Sequence, residues 1–253
     1  MTPAASPAMN PVVPGQELPE REYQQLLHDI FHDLSQPLST LTCLLEVNLL
    51  VSRPAKRTRH DLQIALKQIH AVTRLMSGLR ELVEAGDRQQ DHPLLNLGDC
   101  LAEVVADLLP VAENRGVKLV LVGGTGTSCG QCLVRLQASR LRQGVLRLLE
   151  FALDSGAAGG EIEITAAADG DVGRVVVAIP TVSMAEVEAE ARAKNPVLAG
   201  GPSLKQRALK RRLAWAIARR IFEGAGGSLQ VQNDAPGLRL EVRLPRVSRP
   251  QSG

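Results

Sequence analysis

The chain has 253 residues, 44% of them hydrophobic and only 2% aromatic, so its core is built from Leu, Val, Ile and Ala. Its 29 lysines and arginines stand against 27 aspartates and glutamates, a balance that favours neither nucleic acid nor an anionic membrane as partner. No apolar run approaches the roughly 18 residues of a membrane span, no signal-peptide pattern opens the chain, and four cysteines do not suggest a disulfide framework. A cytoplasmic protein without membrane contact is the expectation.

Residues 1–19 hold five of the 15 prolines with Ala and Ser, a composition that predicts a disordered tail. From Glu20 to Val51 apolar residues recur at Tyr23, Leu27, Ile30, Leu34, Leu38, Leu41 and Leu45. These steps of three and four predict one apolar stripe on a long helix. Ser52 to Thr58 is a short basic turn containing Pro54. Arg59 to Glu84 carry a second stripe at Leu62, Leu66, Ile69, Thr73, Met76, Leu79 and Val83. Two amphipathic helices so joined make an antiparallel helical hairpin over 20–86. One hairpin buries only one face of each helix, so two hairpins are expected to pair as a four-helix bundle in a homodimer. Residues 87–93 are polar, end on Pro93 and read as a linker.

From residue 94 to 246 the pattern mixes helix and strand. Leu97–Asn114, Ser139–Asp154 and Ser203–Glu223 read as helices. Val117–Val122 and Gln131–Leu136 read as strands with a glycine-rich turn between them. Glu161–Thr165 with Arg174–Ile179, and Ser228–Gln232 with Leu238–Leu244, read as hairpins. Ser183–Gly201 has weak periodicity and reads as a partly mobile insertion; 247–253 reads as a frayed tail. The fold class is therefore α+β: a helical hairpin followed by an α/β sandwich.

Chemistry concentrates in Phe31-His32-Asp33-Leu34-Ser35-Gln36-Pro37-Leu38. His32 lies two residues after Ile30, beside the apolar stripe, and is predicted to face water. Asp33 follows it directly, and Gln36 lies one turn on, on the same side. Pro37 lacks an N–H, so the carbonyl of Asp33 loses its helical partner and a kink is expected just beyond His32. The octet resembles the H-box of bacterial two-component histidine kinases, in which a phosphoacceptor His is followed by an acidic residue and, five positions on, by Pro. The order of elements after residue 94, and the run Ala216-Ile217-Ala218-Arg219-Arg220-Ile221-Phe222-Glu223-Gly224, resemble the ATP-binding domain of the same family. The two similarities cover about Glu20 to Pro245.

The family's nucleotide features are altered here. Two Asn positions on the helix that helps hold Mg²⁺ fall on Arg147 and Phe151, neither of which offers an oxygen ligand. The strand that leads the family into an Asp and a Gly-x-Gly loop runs into Ile179-Pro180-Thr181-Val182-Ser183. A Gly-x-Gly-x-Gly phosphate cradle falls on Lys210, Arg212 and Ala214, whose side chains block the close approach that glycine permits. The expectation is a degenerate domain that keeps the shape, with ATP binding lost and no cofactor or metal of its own.

The resemblance then implies a histidine phosphotransferase of a phosphorelay. His32 is the phosphoacceptor, Asp33 orients the imidazole by accepting from its other nitrogen, and Gln36 orients water or the phosphoryl group. The partners implied are receiver domains of response regulators, or of a hybrid histidine kinase, each bringing its own Mg²⁺. The alternatives are an ATP-dependent sensor histidine kinase with divergent boxes and a non-catalytic receiver-binding adaptor. The bland reading of His32 is a solvated surface histidine.

Other features carry weaker signals. His28 and His32 are four apart, but no third metal ligand is evident. Cys129 and Cys132 have redox spacing without a second pair. Gly123-Gly124-Thr125-Gly126 lacks the Lys-Ser/Thr of a phosphate loop and reads as a turn. Lys205, Arg207, Lys210, Arg211, Arg212, Arg219 and Arg220 surround an apolar helix stripe and read as a solvated face, with Trp215 as packing.

Overall fold

Two helices open the structure. α1 spans Glu20–Leu50 and α2 spans Ala55–Glu84, with Pro54 at the α2 N-cap. Its fixed φ of −56° suits a residue entering a helix, and its carbonyl accepts the amides of Arg57 and Thr58. α1 continues through Pro37 as one helix. The computed structural model describes residues 20–51, 54–86, 93–122, 132–155, 160–180, 204–234 and 237–247. The expected tails (1–19, 248–253), most of the linker (87–92), the glycine-rich turn with Cys129, and Ser183–Gly201 lie outside the described residues.

The single apolar stripe expected on each helix is in fact two. On α1, Leu26, Ile30 and Leu34 are buried, whereas Phe31, Leu38 and Leu45 are about half exposed. On α2, Ala65, Gly78 and Leu82 are buried, whereas Leu62, Ile69, Met76 and Val83 lie open. The open residues recur every seven positions on both helices, the spacing of a helix–helix seam. The inner face of α2 uses small residues because its neighbours come close: a Cβ on Gly78 would meet Leu213 at 2.4 Å. Farther along the hairpin, Asn48 donates to Asp61 at 3.2 Å and ties the helices together near the turn.

The second region begins with β1 (Leu94–Asn96) and α3 (Leu97–Asn114), whose first turn is capped by the Asn96 side chain accepting from the Gly98 amide. β2 (Lys118–Val122), β3 (Leu133–Arg135) and α4 (Ala138–Ser155) follow, then β4 (Glu161–Asp169), β5 (Val172–Ile179), α5 (Leu204–Gly224), β6 (Ser228–Asp234) and β7 (Gly237–Pro245). Five strands form one sheet in the order β2-β4-β5-β7-β6. All its pairs are antiparallel except β2 with β4. β3 does not pair with β2, the strand before it, but with β1, a strand that three residues are too few to announce.

Strand residues alternate as the pleat requires. Ile162 and Ile164 of β4, Val175 and Val177 of β5, and Leu240 and Val242 of β7 face the helices and are buried. α3, α4 and α5 cover them, and Gly144 lets α4 lie against Phe222 of α5. The core does not stop at the sandwich: Leu26, Ile30, Leu34 and Leu82 of the hairpin belong to the same buried cluster as Leu209 and Leu213 of α5. No helix among the described residues is long and apolar enough to cross a membrane.

The α5–β6 connection is the tightest point. A Cβ on Gly227 would sit 2.2 Å from the Arg243 carbonyl oxygen, and backbone cannot yield as a side chain tip does. Gly227→Ala is expected to lower stability by about 1–3 kcal/mol, measured by equilibrium urea unfolding.

Candidate functional site

His32 stands on the outer face of α1, two residues from both Ile30 and Leu34 of the buried row. That row is fixed by α2 and α5, so the ring is held outward by the burial of its neighbours. Its side chain is 60% exposed, and its Nδ1 lies 3.4 Å from Asp33 Oδ1, at the outer edge of a hydrogen bond. That contact leaves Nε2 as the outward nitrogen. Gln36 is exposed one turn on, whereas the Asp33 side chain is only 22% exposed. Asp29, one turn before His32, accepts from Gln25 Nε2 at 3.0 Å and from Arg212 Nη1 of α5. His28 is exposed as well, and no group of three or more metal-ligating side chains occurs among the described residues. Cys132 is buried in the core.

The positions that the resemblance assigns to nucleotide binding are occupied by side chains with other partners. Arg147 of α4 reaches α2: Nε donates to Glu81 Oε2 at 2.9 Å, Nη2 to Oε1 at 2.5 Å, and Nη1 turns back to Glu150 at 2.5 Å. Gln143 donates to the same Glu81 at 3.1 Å. Burial alone lowers the affinity of the guanidinium for its proton, but the hydrogen bond and charge of Glu81 and Glu150 outweigh it and raise its pKa. Phe151 stacks obliquely on Trp215, ring centres 5.5 Å apart. Lys210 Nζ lies 2.8 Å from Asp154, Arg212 holds Asp29, and Ala214 is buried. An ATP–Mg²⁺ complex needs oxygen ligands and room for phosphate against backbone. Arg147, locked onto Glu81, and Phe151, packed on Trp215, offer no oxygen, so these two described residues do not fit a Mg²⁺ ion. Thr181 to Ser183 lie outside the described residues.

Three basic side chains of α5, expected on a solvated face, are instead tied down. Arg211 is buried and donates to the Asp154 carbonyl at 3.3 Å. Arg219 bonds Glu223 at 2.7 Å, and the Arg220 guanidinium sits 5.0 Å over the Tyr23 ring. Sequence reasoning missed Glu81 altogether. Its only signal was a carboxylate among the apolar residues near the end of α2.

No family model matches the chain. It is 26% identical over 219 residues to the sensor histidine kinase CusS of Escherichia coli K12, a match spanning 86% of this chain and 44% of that one. The chain is similar to sensor histidine kinases. It spans less than half the length of the curated relatives it matches. Among solved structures, histidine kinase ThkA in complex with response regulator TrrA superposes over 90% of this chain and 64% of that one (TM-score 0.61, 16% identity). Histidine kinase AdeS of Acinetobacter baumannii superposes over 86% and 98% (TM-score 0.58, 15% identity). The helical hairpin followed by the α/β sheet domain is thus the histidine kinase fold.

The Arg147–Glu81 contact joins the two regions through a partly buried, bidentate pair. Arg147→Met is expected to cost about 1–3 kcal/mol of stability and to speed amide hydrogen exchange in the segments of α2 and α5 around Gly78 and Leu213. Unchanged exchange there would mean that the pair does not hold the regions together.

Proposed function

We propose that this protein acts in two-component signalling as a histidine phosphotransferase, with His32 exchanging a phosphoryl group with the aspartate of a receiver domain. The observation that carries this reading is the fate of Arg147: the position resembling a magnesium-ligand asparagine holds a guanidinium locked onto Glu81. The donor is then another protein, not a nucleotide bound here. The exposed imidazole and its flanking carboxylate support the acceptor role.

The step follows from the site. The lone pair of neutral His32 Nε2 attacks phosphorus on an aspartyl phosphate. The P–N bond forms, the P–O bond breaks, and its electron pair returns to the departing carboxylate. Nδ1–H is held by Asp33, whose negative charge offsets the positive charge that develops on the ring. Attack by a second receiver's carboxylate reverses the bookkeeping of bonds and frees His32. The receiver's own acidic pocket supplies Mg²⁺ as a charge clamp on the phosphoryl oxygens. Gln36 orients water or the phosphoryl group on the same face.

The exposed seven-residue rows on α1 and α2 support a homodimer built through the hairpin, since apolar rows at that spacing bury themselves against a second copy. Leu45→Glu with Ile69→Glu is expected to convert a dimer to a monomer in sedimentation velocity.

The second reading is an ATP-dependent sensor histidine kinase. The comparisons by themselves favour it, because the matched relatives carry that name. Nucleotide binding separates the two. On the phosphotransferase reading, calorimetry shows no saturable Mg-ATP binding up to about 1 mM, the upper end of ordinary substrate affinities, and ATP alone does not label His32. In the same assay, a phosphorylated receiver passes acid-labile label to the wild type and none to His32→Ala. Saturable Mg-ATP binding with labelling of His32 by ATP alone would establish the kinase instead. Equal binding of a receiver to wild type and His32→Ala, with no label moved, would leave only an adaptor.

A further inference from the structure

The surroundings of His32 pose an electrostatic problem. Between Arg21 and the end of α1 at Leu50 there is no lysine or arginine. The charged neighbours of His32 on its own helix are Asp29, one turn before it, and Asp33, directly after it. A phosphoryl group brings close to two negative charges and three acceptor oxygens, and both carboxylates repel it. The missing cation comes from the other region of the chain. Arg212 of α5 crosses to α1 and pairs with Asp29. Residues three apart on a helix have Cβ atoms roughly 5–6 Å apart, so a guanidinium on Asp29 stands within a side-chain swing of a group on His32.

We propose that Arg212 is a phosphoryl-binding residue: it rests on Asp29 while His32 is free and moves onto the phosphoryl oxygens when His32 is charged. This rests on the phosphoacceptor reading of His32. Three features of the contact suit such an exchange. Arg212 and Asp29 are 45% and 31% exposed, and an exposed pair of this kind is weak. Asp29 keeps a second partner, Gln25, when the guanidinium leaves. A planar guanidinium binds two phosphoryl oxygens at once, and the higher charge of the phosphoryl group outcompetes a single carboxylate. Arg212 makes and breaks no covalent bond. Loss of the phosphoryl group breaks the P–N bond, whose electron pair leaves with the ring nitrogen, through a loose, metaphosphate-like transition state; its three oxygens then carry less negative charge than in the dianion, so a cation that binds the dianion lengthens its life. The Arg147–Glu81 pair keeps α5 docked and Arg212 within reach.

The test charges the full chain at His32 with potassium phosphoramidate, a small donor that needs neither receiver nor nucleotide, and follows decay of the acid-labile phosphate on phosphate-affinity gels. Wild type is expected to take one label that His32→Ala lacks. Arg212→Met is expected to shorten its half-life roughly 3- to 10-fold, and Arg212→Lys to restore part of the loss. Asp29→Asn breaks the same interhelix contact but frees the guanidinium, so it is expected to lengthen the half-life. If Arg212→Met decays at the wild-type rate, the role of Arg212 falls while the phosphoacceptor reading stands. If Asp29→Asn shortens the half-life as much as Arg212→Met does, Arg212 merely docks α5, and the proposal also falls. If wild-type His32 takes no label from phosphoramidate or from a phosphorylated receiver, both the phosphoacceptor reading and this one are overturned.

Discussion

A carboxylate near the end of α2 and a guanidinium in the middle of α4 set the relation between the two regions. Glu81 accepts from both Arg147 and Gln143, so two side chains one helical turn apart converge on a single anion. The pair is only partly exposed, and a charge stranded there without its partner is costly. Around it the contacts are apolar and close: Leu213 presses on Gly78, and Leu26, Ile30 and Leu34 complete a core continuous with the sandwich. The hairpin therefore depends on α5 for burial of one face of α1, and Arg212 and Arg220 of α5 find their partners, Asp29 and Tyr23, on the hairpin. Neither region presents its observed surface without the other.

This arrangement gives the polar face of α1 its character. The same burial that anchors Ile30 and Leu34 turns His32 outward, and the docked helix brings Arg212 to the turn beside it. A helix in isolation would show one histidine between two carboxylates. The folded chain shows a histidine, two carboxylates and a cation from 180 residues downstream. In the sandwich, two cations that could have attracted phosphate are held in pairs: Lys210 with Asp154 and Arg147 with Glu81. Phe151 and Trp215 fill space between α4 and α5.

The hairpin shows how a correct periodicity can conceal two faces. Leu27, Leu38 and Leu45 share a step pattern with Ile30 and Leu34, and a window of apolar residues does not say which of them meets which partner. Only packing separates the row that α2 and α5 bury from the row left open at seven-residue spacing. The small residues Ala65 and Gly78 carried no hydrophobic signal, yet they mark the true inner face because close approach of helices requires them. The cations of α5 misled in the opposite direction. Seven basic residues in one helix suggest solvent, but Arg211 is buried and Arg220 lies over an aromatic ring, because their partners sit on segments far away in the chain.

What the sequence by itself determined is local. The helices and every strand but β1 followed from periods of 3.6 and 2, and the octet around His32 placed histidine and glutamine on one side of the helix, because side chains within two turns are ordered by helix geometry alone. The tertiary structure decided the rest: the pairing of β3 with β1, the choice between buried and open apolar rows, and the meetings of Arg147 with Glu81 and Arg212 with Asp29. Those contacts join residues from 66 to 183 positions apart. No local pattern encodes them, because the energy that selects each partner exists only once the chain has brought both to the same place.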